Sequence, residues 1–417
     1  MLNRLRFTGV VVGSVLTLVC LASANDWPQW RGPERDGIST ETGLLKTWPA
    51  DGPSLAWKAT GLGLGYSGVA VSAGKIYTLG DLKDANYLFV CDEQSGKQLW
   101  SAKIGEAGAP GWGGFAGPRC TPTVDGNRVY VVGQFGDIAC FDFPGRKTVW
   151  QKHLVKDFGG SRPEWGFSES PLVDGDLVLF TPGGPQGTII ALNKNTGELV
   201  WRTKEFTDNA HYSSITMATL GGVRQYVQLT DANLVGVAPE GGRILWKAPR
   251  KGQTAVITTP VCKDDLVFVT SGYGVGCNLF RVTKEGDNFK AEQVYANKNL
   301  ENHHGGVVLI GDKVYGHSDS KGWVCLNLKT GDLAWNEKSK QQKGSICAAD
   351  GMLYLRSEAG QGTVVLAEAT PTGFVEKGRF NQPGRTEKNS WPHPVVANGK
   401  LYLRDQDALL CYDVKAR

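Results

Sequence analysis

Five stretches of the sequence bring aromatic, basic and imidazole side chains within a few residues of one another. GEAGAPGWGGFAGPRC carries Trp112, Phe115 and Arg119, and FGGSRPEWGFSESP carries Arg162, Glu164, Trp165, Phe167 and Glu169. TDNAHYSS carries His211, Tyr212 and Ser213, NKNLENHHGG carries His303 and His304, and RTEKNSWPHP carries Arg385, Lys388, Trp391 and His393. A carboxylate, a guanidinium, imidazoles and aromatic faces suit a polar ligand with planar or sugar-like surfaces. The candidate pocket residues are therefore Arg119, Trp165, Glu169, His211, Tyr212, His304 and Trp391. The competing reading is of polar loops that satisfy buried backbone, with Glu169 and Arg119 forming an internal ion pair. No C-x-x-C or C-x-x-C-H occurs, and no metal ligand set is assigned. Gly63-Leu-Gly65-Tyr-Ser-Gly68 fits G-x-G-x-x-G but precedes a strand instead of joining a strand to a helix. Asp174-Gly175-Asp176 lacks the remaining ligands of a calcium loop and fits a hairpin turn.

Loops of this kind need a scaffold that brings them together, and the scaffold is a repeat. ALNKNTGELVW (Ala191 to Trp201) recurs as VCDEQSGKQLW, CFDFPGRKTVW, GVAPEGGRILW and CLNLKTGDLAW. Degenerate copies begin at Arg281 and Ala367, the first stretching to Tyr295 and the second ending at Phe380, and a truncated copy begins at Cys411. The eight starts lie 42 to 51 residues apart, the spacing of propeller blades. Upstream of these pieces, TVDGNRVYVV, LVDGDLVLF and VANGKLYLR read as hairpins around Asp-Gly or Asn-Gly turns. Each unit is thus strand A, turn, strand B, strand C, Thr-Gly turn, strand D.

Eight such units describe an all-β fold, an eight-bladed β-propeller of four-stranded antiparallel blades. Trp57, Trp100, Trp150, Trp201, Trp246 and Trp335 are read as structural docking residues that end outer strands and cover the neighbouring blade. Little chain follows strand C of the last unit, so Leu55-Ala56-Trp57 is expected to serve as its strand D and close the ring. The D-to-A connections then meet at one mouth of the central channel, and these are the five stretches above.

The chain is read as three parts: a signal peptide over 1–24, an N-terminal extension over 25–54 and the propeller over 55–417. Arg4 and Arg6, the apolar run Val10 to Leu21 and Ala22-Ser23-Ala24 predict secretory cleavage after Ala24, hence a periplasmic or secreted protein. Cys20 raises a lipidation question, although Val19 and Leu18 are not the small residues expected before a lipid-modified cysteine. No later stretch is apolar for 18 residues, so no transmembrane span is expected after cleavage. The formal net charge of +4 falls to +2 once Arg4 and Arg6 are removed, and no basic footprint for nucleic acid is present. Of the eight remaining cysteines, Cys140, Cys325 and Cys411 share one repeat position, Cys91 is one residue off it, and Cys120, Cys262 and Cys347 fall on another strand. Separate units, or an intervening strand within a unit, keep them apart, and they are expected to be mostly free and buried.

The Ala…Thr-Gly…Trp units resemble those of the pyrroloquinoline-quinone (PQQ) repeat superfamily. The opening WPQWRGPERDG resembles that of a group of exported PQQ-like propellers. One branch, the quinoprotein dehydrogenases, implies PQQ stacked over the axis between a tryptophan and a disulfide of adjacent cysteines, with calcium and an aspartate base. This chain has no adjacent cysteine pair and is shorter than those enzymes. The BamB-like branch implies a non-catalytic adaptor with an outer-membrane or cell-envelope protein partner. The expectation is therefore an exported binding or scaffolding propeller that takes such a partner, or a small polar ligand, at the channel mouth. The alternative is a PQQ-dependent quinoprotein dehydrogenase oxidising alcohols or sugars, with PQQ and calcium as cofactors.

Overall fold

The same turn chemistry recurs from unit to unit, and it produces the same four antiparallel strands. In the computed structural model, which describes residues 26–416, strands A and B of blade 7 are Gly344–Ala349 and Met352–Ser357. Their turn is Asp350-Gly351, with φ of +50° and +75°. That is the type I′ geometry Asp-Gly and Asn-Gly favour, and Asn398-Gly399 repeats it in blade 8. The signal-peptide and Cys20 readings lie outside the described residues.

The chain forms an eight-bladed β-propeller, with strand A of blades 1 to 8 beginning at Ala70, Thr123, Leu172, Thr216, Val261, Val307, Gly344 and Val395. Neighbouring A strands approach one another around a common axis. Blade 8 holds Val395–Ala397, Lys400–Asp405 and Ala408–Asp413, and Leu55–Ala59 is its outer strand, with Trp57 facing Cys411. The predicted closure is therefore how the ring is completed.

Trp150 shows how one blade locks the next. Its ring covers Gly197 in the C–D turn of blade 3, where an added Cβ would stand 2.8 Å from the indole, and its Nε1 donates to Lys194 O at 2.8 Å. Gly197 has φ +74°, so both conformation and contact require glycine there. Trp57 lies the same way over Gly96, and Trp201 over Gly242. Trp100 meets Phe141 and Phe143 of blade 2, and Trp335 meets Phe374 of blade 7. Trp246 differs, since its Nε1 donates to Gln225 Oε1 and its ring lies over Gly236, both in its own blade 4.

Two units lack the tryptophan, and strand pairing corrects their alignment. In blade 5 the docking position is Tyr295, opposite Leu279 and over Gly331, so the start read at Arg281 is two residues late. In blade 7 Leu366 faces Gly378, so the docking position is Gly378 and not Phe380. Trp48 lies on Gly378, its ring 5.8 Å from Tyr354 and 5.5 Å from Phe380. The missing indole is supplied from outside the repeat.

Residues 26–41 form an axial plug, and the chain then runs outward to set Trp48 on Gly378. Asp26 accepts from Ser72 Oγ (3.1 Å) and Ala73 N (2.9 Å) at the A–B turn of blade 1. Trp27 bridges Val71 of blade 1, and Pro28 O accepts from Val124 N of blade 2 at 2.8 Å. Arg35 donates to Ser170 O and Pro171 O, ahead of blade 3, at 2.9 Å each. Arg31 donates to Val307 O of blade 6, and Ile38–Ser39 joins blade 7 as a fifth, parallel strand. Glu41 Oε1 then accepts from Gly399 N of blade 8 at 2.8 Å. Arg31 and Arg35 sit at φ +62° and +57°, which lets this segment double back inside the channel.

All eight cysteines among the described residues are free, and all but the half-buried Cys262 are buried. Cys140, Cys325 and Cys411 stand opposite Trp150, Trp335 and Trp57, at one shared register position. Among the described residues no helix is long and apolar enough to cross a membrane.

Candidate functional site

The D-to-A connections meet around a cavity of about 390 Å³. Its floor is Trp30, the tip of the plug, whose Nε1 donates to Thr259 Oγ1 at 3.0 Å and whose ring lies 4.7 Å from that of His393. One wall is aromatic: the Tyr66 and Trp391 rings are 4.4 Å apart, and Phe115 lies 5.1 Å from Trp391. Arg119 lies over Tyr66, 5.4 Å from the ring centroid, and donates to Gly117 O and Phe115 O at 2.8 Å each. Burial lowers its pKa to about 10, so it stays charged at neutral pH. Opposing it in type is a second aromatic pair, Trp165 and Tyr212, at 6.0 Å. Trp165 Nε1 donates to Trp112 O at 2.9 Å, which ties two connections together, while the Trp112 ring stays 76% exposed.

Two imidazole systems complete the lining. His304 Nε2 bonds Glu358 Oε2, which also accepts from Trp391 Nε1 at 3.1 Å. Burial by itself would raise the Glu358 carboxyl, but the bond and electrostatic pull of His304, with Lys343 and Trp391, bring it down to about 2. His303 Nδ1 meets Lys343 Nζ at 2.8 Å and its Nε2 meets Tyr273 OH at 2.7 Å. An ammonium only donates, so Nδ1 accepts and the ring proton sits on Nε2, pointing at the Tyr273 oxygen. The Tyr273 hydroxyl proton is then free of His303. Burial, reinforced by His304 and Lys343, lowers His303 to about 3, and Asp319 balances Lys343 at 2.8 Å. Tyr273 holds φ +58°, an outlier for a bulky side chain and a form of strain that recurs at functional sites.

Of the seven sequence candidates, Arg119, Trp165, Tyr212, His304 and Trp391 line this cavity, and Glu169 and His211 do not. His211 stands behind Tyr212, their rings 5.3 Å apart, and its Nδ1 accepts from Val256 N at 3.1 Å. Glu169 is 3% exposed and accepts from Thr181 N. Neither envisaged role for Glu169 beside Arg119 is present: the cation acting on Glu169 is Arg35 of the plug, and Arg119 binds backbone carbonyls. The sequence reading passed over Trp30, Tyr66, Tyr273, Lys343 and Glu358. Tyr273 and Glu358 lie between strands B and C, and those loops open at the same end as the D-to-A connections.

Burial pushes Glu169 up to about 7, against pulls from Thr181 and Arg35. A raised acid contributes stability that is full below its unfolded value and is lost as pH rises through the folded one. Glu169→Gln cannot ionise, so the variant should gain on the wild type between pH 5.5 and 8.5, by on the order of 2 kcal/mol. Urea titrations across that range check this, and parallel curves would show that Glu169 does not titrate there.

Calcium-held quinone would need several carboxylate or amide oxygens and a stacking pair at this mouth. Glu358 is the one carboxylate lining the cavity, and it is engaged by His304 and Trp391. Among the described residues no group of three His, Cys, Asp or Glu side chains is placed to hold a metal ion. Among the described residues no two cysteines are bonded to each other. The residues present do not fit calcium-held PQQ.

A family model described as outer membrane protein assembly factor BamB matches residues 84–337. The outer membrane protein assembly factor BamB of Burkholderia pseudomallei (strain K96243) is 26% identical over 319 residues, 75% of each chain. Among solved structures, BamB from Moraxella catarrhalis superposes with a TM-score of 0.62 at 14% identity, covering 87% of this chain and 99% of that one. Quinohemoprotein alcohol dehydrogenase from Comamonas testosteroni gives 0.67 at 11% identity, covering 94% and 81%. At such identities these two structures share the fold alone.

Proposed function

We propose, from the premise that this chain belongs to the outer membrane protein assembly factor BamB family, that it is an exported, non-catalytic scaffold of the cell envelope. It takes a segment of an outer-membrane assembly partner at the channel mouth. The observation that carries this reading is the mouth itself, where long connections converge and present aromatic faces, Trp112 most openly. Exposed aromatic side chains around a preformed concavity are the usual anchors of protein recognition. Proton-transfer catalysis is poorly served, because Glu358 is held at about 2 and His303 and His393 at about 3, far from neutral pH.

Photo-crosslinking from the mouth tests the proposal. A photoreactive phenylalanine analogue at Trp112 in the full chain, expressed in its host, should yield an adduct with an outer-membrane assembly protein. The same analogue at the exposed Glu240, in a C–D turn on the outer rim, should not. Equal labelling from both positions would remove the mouth from consideration. Dye reduction with alcohols or sugars after loading with PQQ and calcium would put the quinoprotein dehydrogenase reading first.

A further inference from the structure

We propose that the mouth cavity binds a sugar-like ring bearing one carboxylate, with Arg119 as its anchor. This rests on reading the mouth as a binding surface, and it adds the class of ligand.

Arg119 is the starting point. Among the described residues no carboxylate lies within ion-pair distance of it, whereas Lys343, the other cation of the lining, is paired with Asp319. Its two hydrogen bonds to the carbonyls of Gly117 and Phe115 fix the guanidinium and use two of its five N–H groups. Stacking over Tyr66 holds the plane from one face. A fixed, largely buried guanidinium with unused N–H groups, on which Asp81 acts only from beyond ion-pair distance, matches a carboxylate, which accepts two parallel bonds from such a fork.

The surroundings specify what carries the carboxylate. Tyr66 is covered by Arg119 and by Trp391, so the half-buried Trp391 is the ring beside this stack that remains to take the apolar C–H face of a pyranose. Hydroxyl partners are also at hand. Glu358 is a fixed acceptor, and Ser168 Oγ and His304 Nδ1, on two lining residues, have no partner. The Tyr273 hydroxyl adds a donor. Arg119 is the cation of the lining without an ion pair among the described residues, so the cavity provides for a single carboxylate. A volume of about 390 Å³ holds a ring of this size.

Tryptophan fluorescence and calorimetric titration of the full chain test the inference with four probes: D-glucuronate, D-glucose, benzoate and benzyl alcohol. Glucuronate should bind at least about tenfold more tightly than glucose, as expected for a charge-assisted pair. Arg119→Met should lose that preference and Arg119→Lys should keep part of it. Benzoate should bind more weakly than glucuronate, because it offers nothing to the hydroxyl partners. Should Arg119→Met fail to fold, the glucuronate-to-glucose ratio of the wild type decides alone. Equal binding of glucuronate and glucose overturns the inference, as does unaltered glucuronate binding in a folded Arg119→Met. Benzoate binding more tightly than glucuronate overturns the sugar assignment. Crosslinking from Trp112 keeps the two proposals apart: adducts without acid binding sink only the ligand class, and acid binding without adducts sinks only the scaffold reading.

Discussion

Trp201→Ala is expected to lower the free energy of unfolding by about 3–5 kcal/mol, the range for truncating a large buried aromatic. Trp201 is 8% exposed, lies over Gly242 and stacks on Tyr226 at 6.2 Å, both in blade 4. The truncation opens a cavity between blades 3 and 4, and Gly242 has no side chain with which to refill it. The indole Nε1 has no hydrogen-bond partner, so the loss is one of packing and not of a polar bond. Denaturant titration measures it. A change below about 1 kcal/mol, the size of an ordinary surface substitution, would show that this contact does not hold the blades together.

Acidification is the second large effect. Burial holds His303 and His393 at about 3 and His317 at about 4, against about 6.5 in an unfolded chain. A depressed histidine contributes stability that is present above its unfolded value and is lost as pH falls toward the folded one. Here the loss begins near pH 6.5. Glu169 works in the opposite direction, gaining stability as pH falls below about 7. Burial also lowers His153 and His211 and raises Asp36, Glu41, Asp81 and Asp137, which act in opposite directions. On the largest shifts three histidines outweigh one acid, and the net loss between pH 7.5 and 5 is expected to be on the order of 3 kcal/mol. Urea midpoints at the two pH values measure it. Proton NMR gives the direct check, since these three imidazoles should not titrate between pH 8 and 5 in the folded protein. Three ordinary titrations near 6.5 would contradict the prediction.

The repeat was readable because its demands are local. Gly197 must take positive φ and must lie under Trp150, so glycine and tryptophan return in each regular unit at fixed spacing. The closure by Leu55 to Trp57 followed from a missing strand. Where a distant segment replaces a repeat residue, the pattern breaks. Gly378 and Trp48 form one docking contact, yet they are hundreds of positions apart and neither carries a local signature. The plug was hidden for the same reason, since WPQWRGPERDG has no periodicity and its arginines bond to carbonyls, which no side-chain identity reveals. At the mouth, attention to D-to-A connections found Arg119, Trp165, Tyr212, His304 and Trp391. It missed Glu358 and Tyr273 because B–C loops share that end of the disc. Glu169 misled because a carboxylate at the start of a strand A reads alike whether it faces a ligand or a buried arginine.

The path of the plug also sets an order of events. Within blades 1 to 6 every strand pairs with a sequence neighbour, and such local contacts form quickly. The bond from Gly399 N to Glu41 spans 358 residues, and Leu55–Ala59 finds its partner only in Ala408–Asp413. Closing loops of that length is the slow part of acquiring this topology, because the entropy is lost before the contacts return it. The ring contact of Trp30 with His393 is among those that depend on such long-range closure. Asp26 meets Ser72 of blade 1 across only 46 positions, whereas the contact of Trp30 with His393 and the Glu41 bond need the last blade. Competence to bind there becomes a report that the whole ring has been made.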